Sequence, residues 1–171
     1  AQTGLEVRYT ALMNIGNELI ANCEELGTLL AREEGKTQPE GKGEIYRSGQ
    51  FFTYYAAEVL RQIGENAESV RPGVEVDVRR EPVGTVAIIS PWNFPFMLTI
   101  TPLVSAIAAG NSVIIKPSEV SSNTSELLSK MISELFSEKE VAVVQGNKDI
   151  VTELLSFPFD HIFFTGSTEV G

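Results

Sequence analysis

The chain has 171 residues, 43% hydrophobic and 21% charged, with 23 acidic and 13 basic side chains giving a formal charge of −10. That is enough chain for one domain with a buried core. It lacks the cationic surface that nucleic-acid phosphates require and the ~18-residue apolar run of a membrane span. The single cysteine, Cys23, excludes an intrachain disulfide and a multi-cysteine zinc site, so no metal centre is expected and a reducing, cytoplasmic setting fits. The N-terminus has neither a secretory signal nor an initiator Met, as expected of a processed chain or a piece of a longer one.

The first predicted element is one long helix. Tyr9, Leu12, Leu19, Cys23, Leu26 and Leu30 recur on a single face, with Gly16 in the gap. Cys23 lies on that stripe and reads as a buried structural thiol. The run "EEGKTQPEGKG" (Glu33–Gly43) breaks the helix with three glycines and a proline. Its Gly35-Lys36-Thr37 is not a phosphate-binding loop, because the glycine required five residues earlier is Leu30. A second helix follows from about Glu44 to Ile63, with Ile45, Phe52, Ala56, Val59 and Ile63 inward. Then Val74, Val76 and Val78 alternate with Glu75, Asp77 and Arg79. This is a half-exposed strand, one arm of a hairpin that either offers its edge to another subunit or lies on its own domain.

From Val83 the rhythm is strand and helix in turn. Strands are predicted at Val83–Ile89, Ser112–Lys116, Val141–Val144 and His161–Phe164, and helices at about Pro95–Ala109, Thr124–Phe136 and Lys148–Leu155. Asn123 with Glu126 reads as the capping pair of the middle helix. The predicted fold is α/β, a doubly wound parallel sheet preceded by two long helices and a hairpin arm. Ligands of such sheets bind at the carboxyl ends of the strands.

Those ends are polar or glycine-containing: "SPWNFPF" (Ser90–Phe96), Lys116-Pro117-Ser118-Glu119, Gln145-Gly146 and Thr165-Gly166-Ser167. Glu119 stands where dinucleotide folds place a ribose-binding acid, and its charge leans toward NAD over NADP. Lys116 could donate to the same ribose; a solvated loop pair is the alternative. The first turn lacks the usual glycines, so the amides of Gly166, Ser167 and Gly171, opening a further helix, are the replacement phosphate cradle. Asn93, between Pro91 and Pro95, carries two N–H donors and cannot act as acid or base. A rigid amide donor at a ligand cleft suits an oxyanion, while satisfying a tight turn is the equally open alternative. His161 begins a buried strand without a nucleophile partner and reads as structural. Glu169 reads as a first-turn helix residue.

"PWNFP", "AAGNSVIIKPSE" and "FDHIFFTGSTEVG" resemble, in order, signature blocks of the aldehyde dehydrogenase superfamily. "LLAREEGKT" and "VRREPVG" are similar to its leading helices and oligomerisation strand. The later blocks look closest to the class 3-like branch; the helical first half looks more like semialdehyde-oxidising members. The resemblance implies the N-terminal portion of an NAD(P)-dependent enzyme that oxidises an aldehyde to a carboxylate through a cysteine thioester. It implies Asn93 as oxyanion donor and Ile89, Ser90, Pro91, Trp92, Lys116, Ser118, Glu119, Gly146, Gly166 and Ser167 around an NAD cofactor, with NADP possible. Residues 1–69 would be the helices of the cofactor domain, 70–82 an oligomerisation strand and 83–171 a dinucleotide-binding region cut short. A homodimer or homotetramer is implied. The nucleophilic cysteine and general-base glutamate of that family lie C-terminal to Gly171, so Cys23 matches neither and the chain alone is expected to be inactive. A non-catalytic nucleotide-binding or interaction module is the alternative.

Overall fold

The structure, a computed structural model, describes residues 4–61 and 64–171; the inward place expected for Ile63 lies outside them. The helical first part holds three helices, α1 (Leu5–Ala21), α2 (Cys23–Glu34) and α3 (Gln38–Arg61). The long first helix expected from periodicity is thus interrupted at Asn22. Its side-chain amide and its backbone N–H both donate to Glu18 O, at 2.9 and 3.0 Å, and this competition bends the chain out of the helix. The apolar stripe survives the break, and Cys23 is buried within it as expected.

The glycine-rich run does not wholly separate helices, as its composition suggested. Gly35 ends α2 in the left-handed conformation at φ 68°, and α3 starts only three residues later. At the start of α3 the Glu40 carboxylate reaches back and accepts the Thr37 N–H and hydroxyl at 2.9 and 2.8 Å, the carboxylate half of a capping box. Gly41 and Gly43 lie inside α3. A Cβ on Gly41 would run into Gly27 O, and one on Gly27 would meet the backbone of Lys42. Likewise a Cβ on Gly16 would sit 2.8 Å from Gly49 O. Two glycine pairs therefore let α3 cross α1 and α2 with backbones in contact.

A two-stranded antiparallel ribbon follows, β1 (Glu65–Ala67) against β2 (Val76–Val78), exposed along both strands. Then β3 (Thr85–Ile89), α4 (Met97–Ala108), β4 (Ser112–Lys116), α5 (Ser122–Leu135), β5 (Val141–Val143), α6 (Lys148–Leu154) and β6 (His161–Phe164) complete the described chain. The four later strands form one parallel sheet in the order β5-β4-β3-β6. The order reverses at β3. Right-handed crossovers in the two directions place α4 and α5 on one face and α6 on the other.

Alternate residues Val86, Ile88, Val113, Ile115 and Val141 share one core with Ile100, Leu103 and Val104 of α4 and Leu128 and Ile132 of α5. The same core takes in Leu12, Leu30, Phe52 and Ala56, so the helical part and the sheet are not separately packed. His161 departs from expectation. Among the described residues it is exposed, with β6 the outer strand and only Phe164 of that strand half-buried. The cap of α5 also differs. Glu126 accepts from the Gln145 side chain instead, while Glu33 of α2 reaches over to α5. Its carboxylate accepts Asn123 N–H and Nδ2 at 2.6 and 3.0 Å, and Thr124 N–H and hydroxyl at 2.8 and 2.5 Å.

Burial raises the Glu33 pKa, but the bonds from Thr124 and Asn123 outweigh it and hold the carboxyl below its ordinary value. A lowered carboxylate stabilises the fold above the unfolded pKa and loses that effect as pH falls through the folded one. Glu33→Gln is therefore expected to cost about 1 kcal/mol at neutral pH and progressively less in acid. Urea unfolding midpoints across that pH range check it. Gly27→Ala should lower stability by about 2 kcal/mol or more through overpacking. Gly43→Ala, where a Cβ meets nothing within 4 Å, should raise it by up to about 1 kcal/mol in the same measurement.

Candidate functional site

The carboxyl ends of the four parallel strands lie in one row. Ile89 is in register with Lys116, and Ser90 N–H donates to Lys116 O at 3.2 Å. Thr165 N–H reaches Ile89 O at 3.0 Å, and Val144 N–H reaches Ile115 O at 2.8 Å. Register alone thus gathers the segments carrying Ile89–Asn93, Lys116–Glu119, Gly146 and Gly166–Ser167 at one end of the sheet. The reversal of strand order falls between β3 and β6, where open α/β sheets form their ligand crevice.

In the first segment Ile89 and Pro91 are half-buried, whereas Trp92, Asn93 and Phe94 are exposed. Ser90 is buried, and its hydroxyl lies 2.5 Å from that of Thr99, which donates onward to Pro95 O at 2.6 Å. Ser90 therefore ties the end of β3 to the first turn of α4. Asn93 Oδ1 accepts the Phe94 N–H at 3.1 Å. That bond fixes which side of the carboxamide is the acceptor and leaves Nδ2 as the available donor on an exposed side chain.

Lys116 is 2% exposed, an unusual place for an ammonium. Two of its three donors are used, by Pro117 O at 2.8 Å and Glu119 Oε2 at 3.0 Å. Glu119 itself is half-exposed at its side chain. Its own backbone N–H first, and then Lys116, hold its carboxyl below the usual range, so it presents an ionised acceptor at the strand end. Ser118 is buried and serves the loop, its Oγ accepting Val120 N–H at 3.3 Å.

Gly146 has a φ of 149°, and a Cβ there would press on Ile150 of α6. Asn147 caps that helix, its Oδ1 accepting Asp149 N–H at 3.1 Å. At Gly166 the ring of Phe164 fills the space a side chain would take. Ser167 then opens a single turn closed by Val170 and Gly171 N–H, each 3.2 Å from Ser167 O. Glu169 lies in that turn, while Cys23 is in the helical core and His161 is at the opposite end of β6 from Thr165.

Sequence reasoning missed what supports the first segment. Glu44, 3% exposed on α3, accepts the N–H groups of Phe96 and Met97 with one oxygen, at 3.0 Å each. Its other oxygen pairs with Lys36 at 2.6 Å. The Lys36 ammonium in turn lies 4.0 Å from the centre of the Phe94 ring. A signal was present: Glu44, Ser48, Phe52 and Ala56 fall at four-residue spacing, which puts the carboxylate on the buried face. A hollow of about 740 Å³ lies instead at the amino ends of the strands, lined by Arg8, Arg80, Asn111, Ser112 and Glu140 among others. Its Arg8 donates through Nη1 to Ala108 O at the end of α4 at 2.8 Å, while its buried Nε has no partner among the described residues.

Comparison with known proteins agrees with this geometry. The sequence profile of the aldehyde dehydrogenase family matches residues 1–171. Aldehyde dehydrogenase family 3 member B2 of Mus musculus is 49% identical over 97% of this chain and 36% of its own length. The dimeric NADP-preferring aldehyde dehydrogenase of Mus musculus is 50% identical over 55% of this chain and 21% of its own. A betaine aldehyde dehydrogenase of Staphylococcus aureus, solved in complex with NAD+, superposes with a TM-score of 0.91 at 28% identity. The superposition covers 99% of this chain and 34% of that one. The chain spans about a third of the length of these relatives or less. The family 3 relatives agree with the class 3-like character of the later blocks, and the chain belongs to the aldehyde dehydrogenase family.

Proposed function

We propose that the chain is the cofactor-binding portion of an NAD(P)-dependent aldehyde dehydrogenase, with Asn93 as the donor to the oxyanion. The observation that carries the reading is the row of strand ends. It gathers at one end of the sheet an exposed Asn93, with its acceptor side tied down, the ionised Glu119 and the glycine turns after β5 and β6. These residues fit a dinucleotide. Glu119 suits ribose hydroxyls, the third Lys116 donor has no partner among the described residues, and the turn at Gly166–Ser167 offers backbone N–H groups to a phosphate. Ile89, Ser90, Pro91, Trp92, Ser118 and Gly146 form the surrounding wall. The relatives' names support either cofactor, one being NADP-preferring and another solved with NAD+.

The nicotinamide, when bound, supplies the hydride acceptor. The residues of this chain bind and orient. As a thiolate attacks the aldehyde carbon, negative charge grows on the carbonyl oxygen, and a preplaced N–H lowers that barrier more than it aids substrate binding. Asn93 Nδ2 supplies that N–H. The nucleophile and the base come from outside this chain. Its only cysteine, Cys23, is 6% exposed in the helical core and does not serve as that nucleophile. Assembly as a homodimer or homotetramer through the exposed β1–β2 ribbon, and a cytoplasmic location, belong to the same reading. Among the described residues no helix is long and apolar enough to cross a membrane.

Trp92 is the only tryptophan and is 54% exposed at the site. Titration of the chain with NAD or NADP is expected to change its fluorescence saturably; a linear, non-saturating response would count against a cofactor cleft here. In the intact enzyme, Asn93→Ala is expected to lower kcat by about 100- to 1,000-fold with little change in KM for the cofactor, by steady-state kinetics.

A further inference from the structure

We infer that Glu44 and Lys36 are positioning residues for Asn93, acting through the loop that precedes α4. This rests on the reading of Asn93 as the oxyanion donor. The loop Trp92–Phe94 is exposed and has little packing of its own to fix it. Its downstream end is secured by Glu44, whose Oε1 accepts the first N–H groups of α4, those of Phe96 and Met97. A carboxylate at a helix N-terminus is favoured by the aligned peptide dipoles and by the unpaired amides there. Here the carboxylate arrives from another helix, 52 residues earlier in the chain.

Lys36 completes the device from the side. It neutralises the other oxygen of Glu44, and its ammonium rests against the face of Phe94. The Phe94 N–H is the group that orients the Asn93 carboxamide. The connected series is therefore Glu44, Lys36, Phe94 and Asn93. A shift of the Phe94 backbone turns the carboxamide away from the developing charge without touching the dinucleotide contacts at Lys116 and Glu119. An oxyanion donor works only within tight limits of distance and direction, and a displacement of about 1 Å from a remote change can cost about a hundredfold in rate. Lys36 is the more informative residue to change, because its side chain is 14% exposed whereas that of Glu44 is wholly buried.

The test is a double-mutant cycle in the intact enzyme between Lys36→Met and Asn93→Ala, with Lys36→Arg as the conservative variant. Lys36→Met is expected to lower kcat about 10- to 100-fold while leaving KM for the cofactor within about twofold. Lys36→Arg, which keeps the charge and the ring contact, should restore kcat to within about threefold of the parent. In the Asn93→Ala background Lys36→Met should add no further loss, since the group it positions is gone. Glu44→Gln, which keeps an acceptor but sets an amide against Lys36, should reproduce the kcat loss if it folds. A Lys36→Met loss of equal size in both backgrounds overturns the positioning role while leaving Asn93 as the donor. An unchanged kcat in Lys36→Met overturns it as well. An unchanged kcat in Asn93→Ala removes the Asn93 reading itself, and this inference with it.

Discussion

The buried carboxylate of Glu44 is the constraint on which the arrangement at the strand ends depends. Taking a carboxylate out of water is costly unless it is paired and hydrogen-bonded. Glu44 meets that condition with two backbone N–H groups on one oxygen and an ammonium on the other. Each partner is itself a group that needed an acceptor. The α4 amides have no intrahelical partner, and Lys36 sits mostly out of solvent. Breaking any one contact strands charge or amides in the interior, so the three are held together more firmly than any pair would be.

The location of Glu44 is set in turn by backbone contact between helices. Gly27 against Gly41 and Gly16 against Gly49 fix how far α3 slides along α2 and α1. Glu44 is one turn beyond the closer of those crossings. Backbone contact at these glycines fixes the helix that carries Glu44, because backbone atoms do not repack as side chains do, and the hydrogen bonds and ion pair then fix its carboxylate. Glu33 repeats the pattern on α5. Two carboxylates from the leading helices thus hold the starts of α4 and α5, the two helices on one face of the sheet, in the places usually taken by local caps such as the Asn147 cap of α6.

This division also explains which parts were legible in the sequence. The strands β4 and β6 and the approximate extents of α4, α5 and α6 follow from apolar spacing, which is a local property. The row of polar strand ends could be read the same way, since each end follows its strand. Asn22 was invisible because a single side chain competing for Glu18 O leaves the apolar stripe intact. The spacing of α3 puts Glu44 on the buried face, but the partners of Glu44 and Glu33 could not be read, because they lie 52 and 90 residues away. The place of β6 beside β3 depends on strand order, which spacing along the chain does not encode.

The shared core has a consequence for synthesis. The apolar faces of α1, α2 and α3 leave the ribosome before α4, β3 and β4, with which they share that core. Contacts at such sequence separations form slowly, and the loop-closure entropy must be met before they stabilise anything. During translation the first helices therefore have each other but not the sheet, and Glu44 and Glu33 remain solvated while their amide partners are still being made. The leading third of the chain passes through an interval of exposed apolar surface, the stage at which chaperones bind nascent chains. The core closes only after the segment that presents Asn93 has been followed by β4, α5 and β5, whose Val113, Ile115, Leu128, Ile132 and Val141 belong to it.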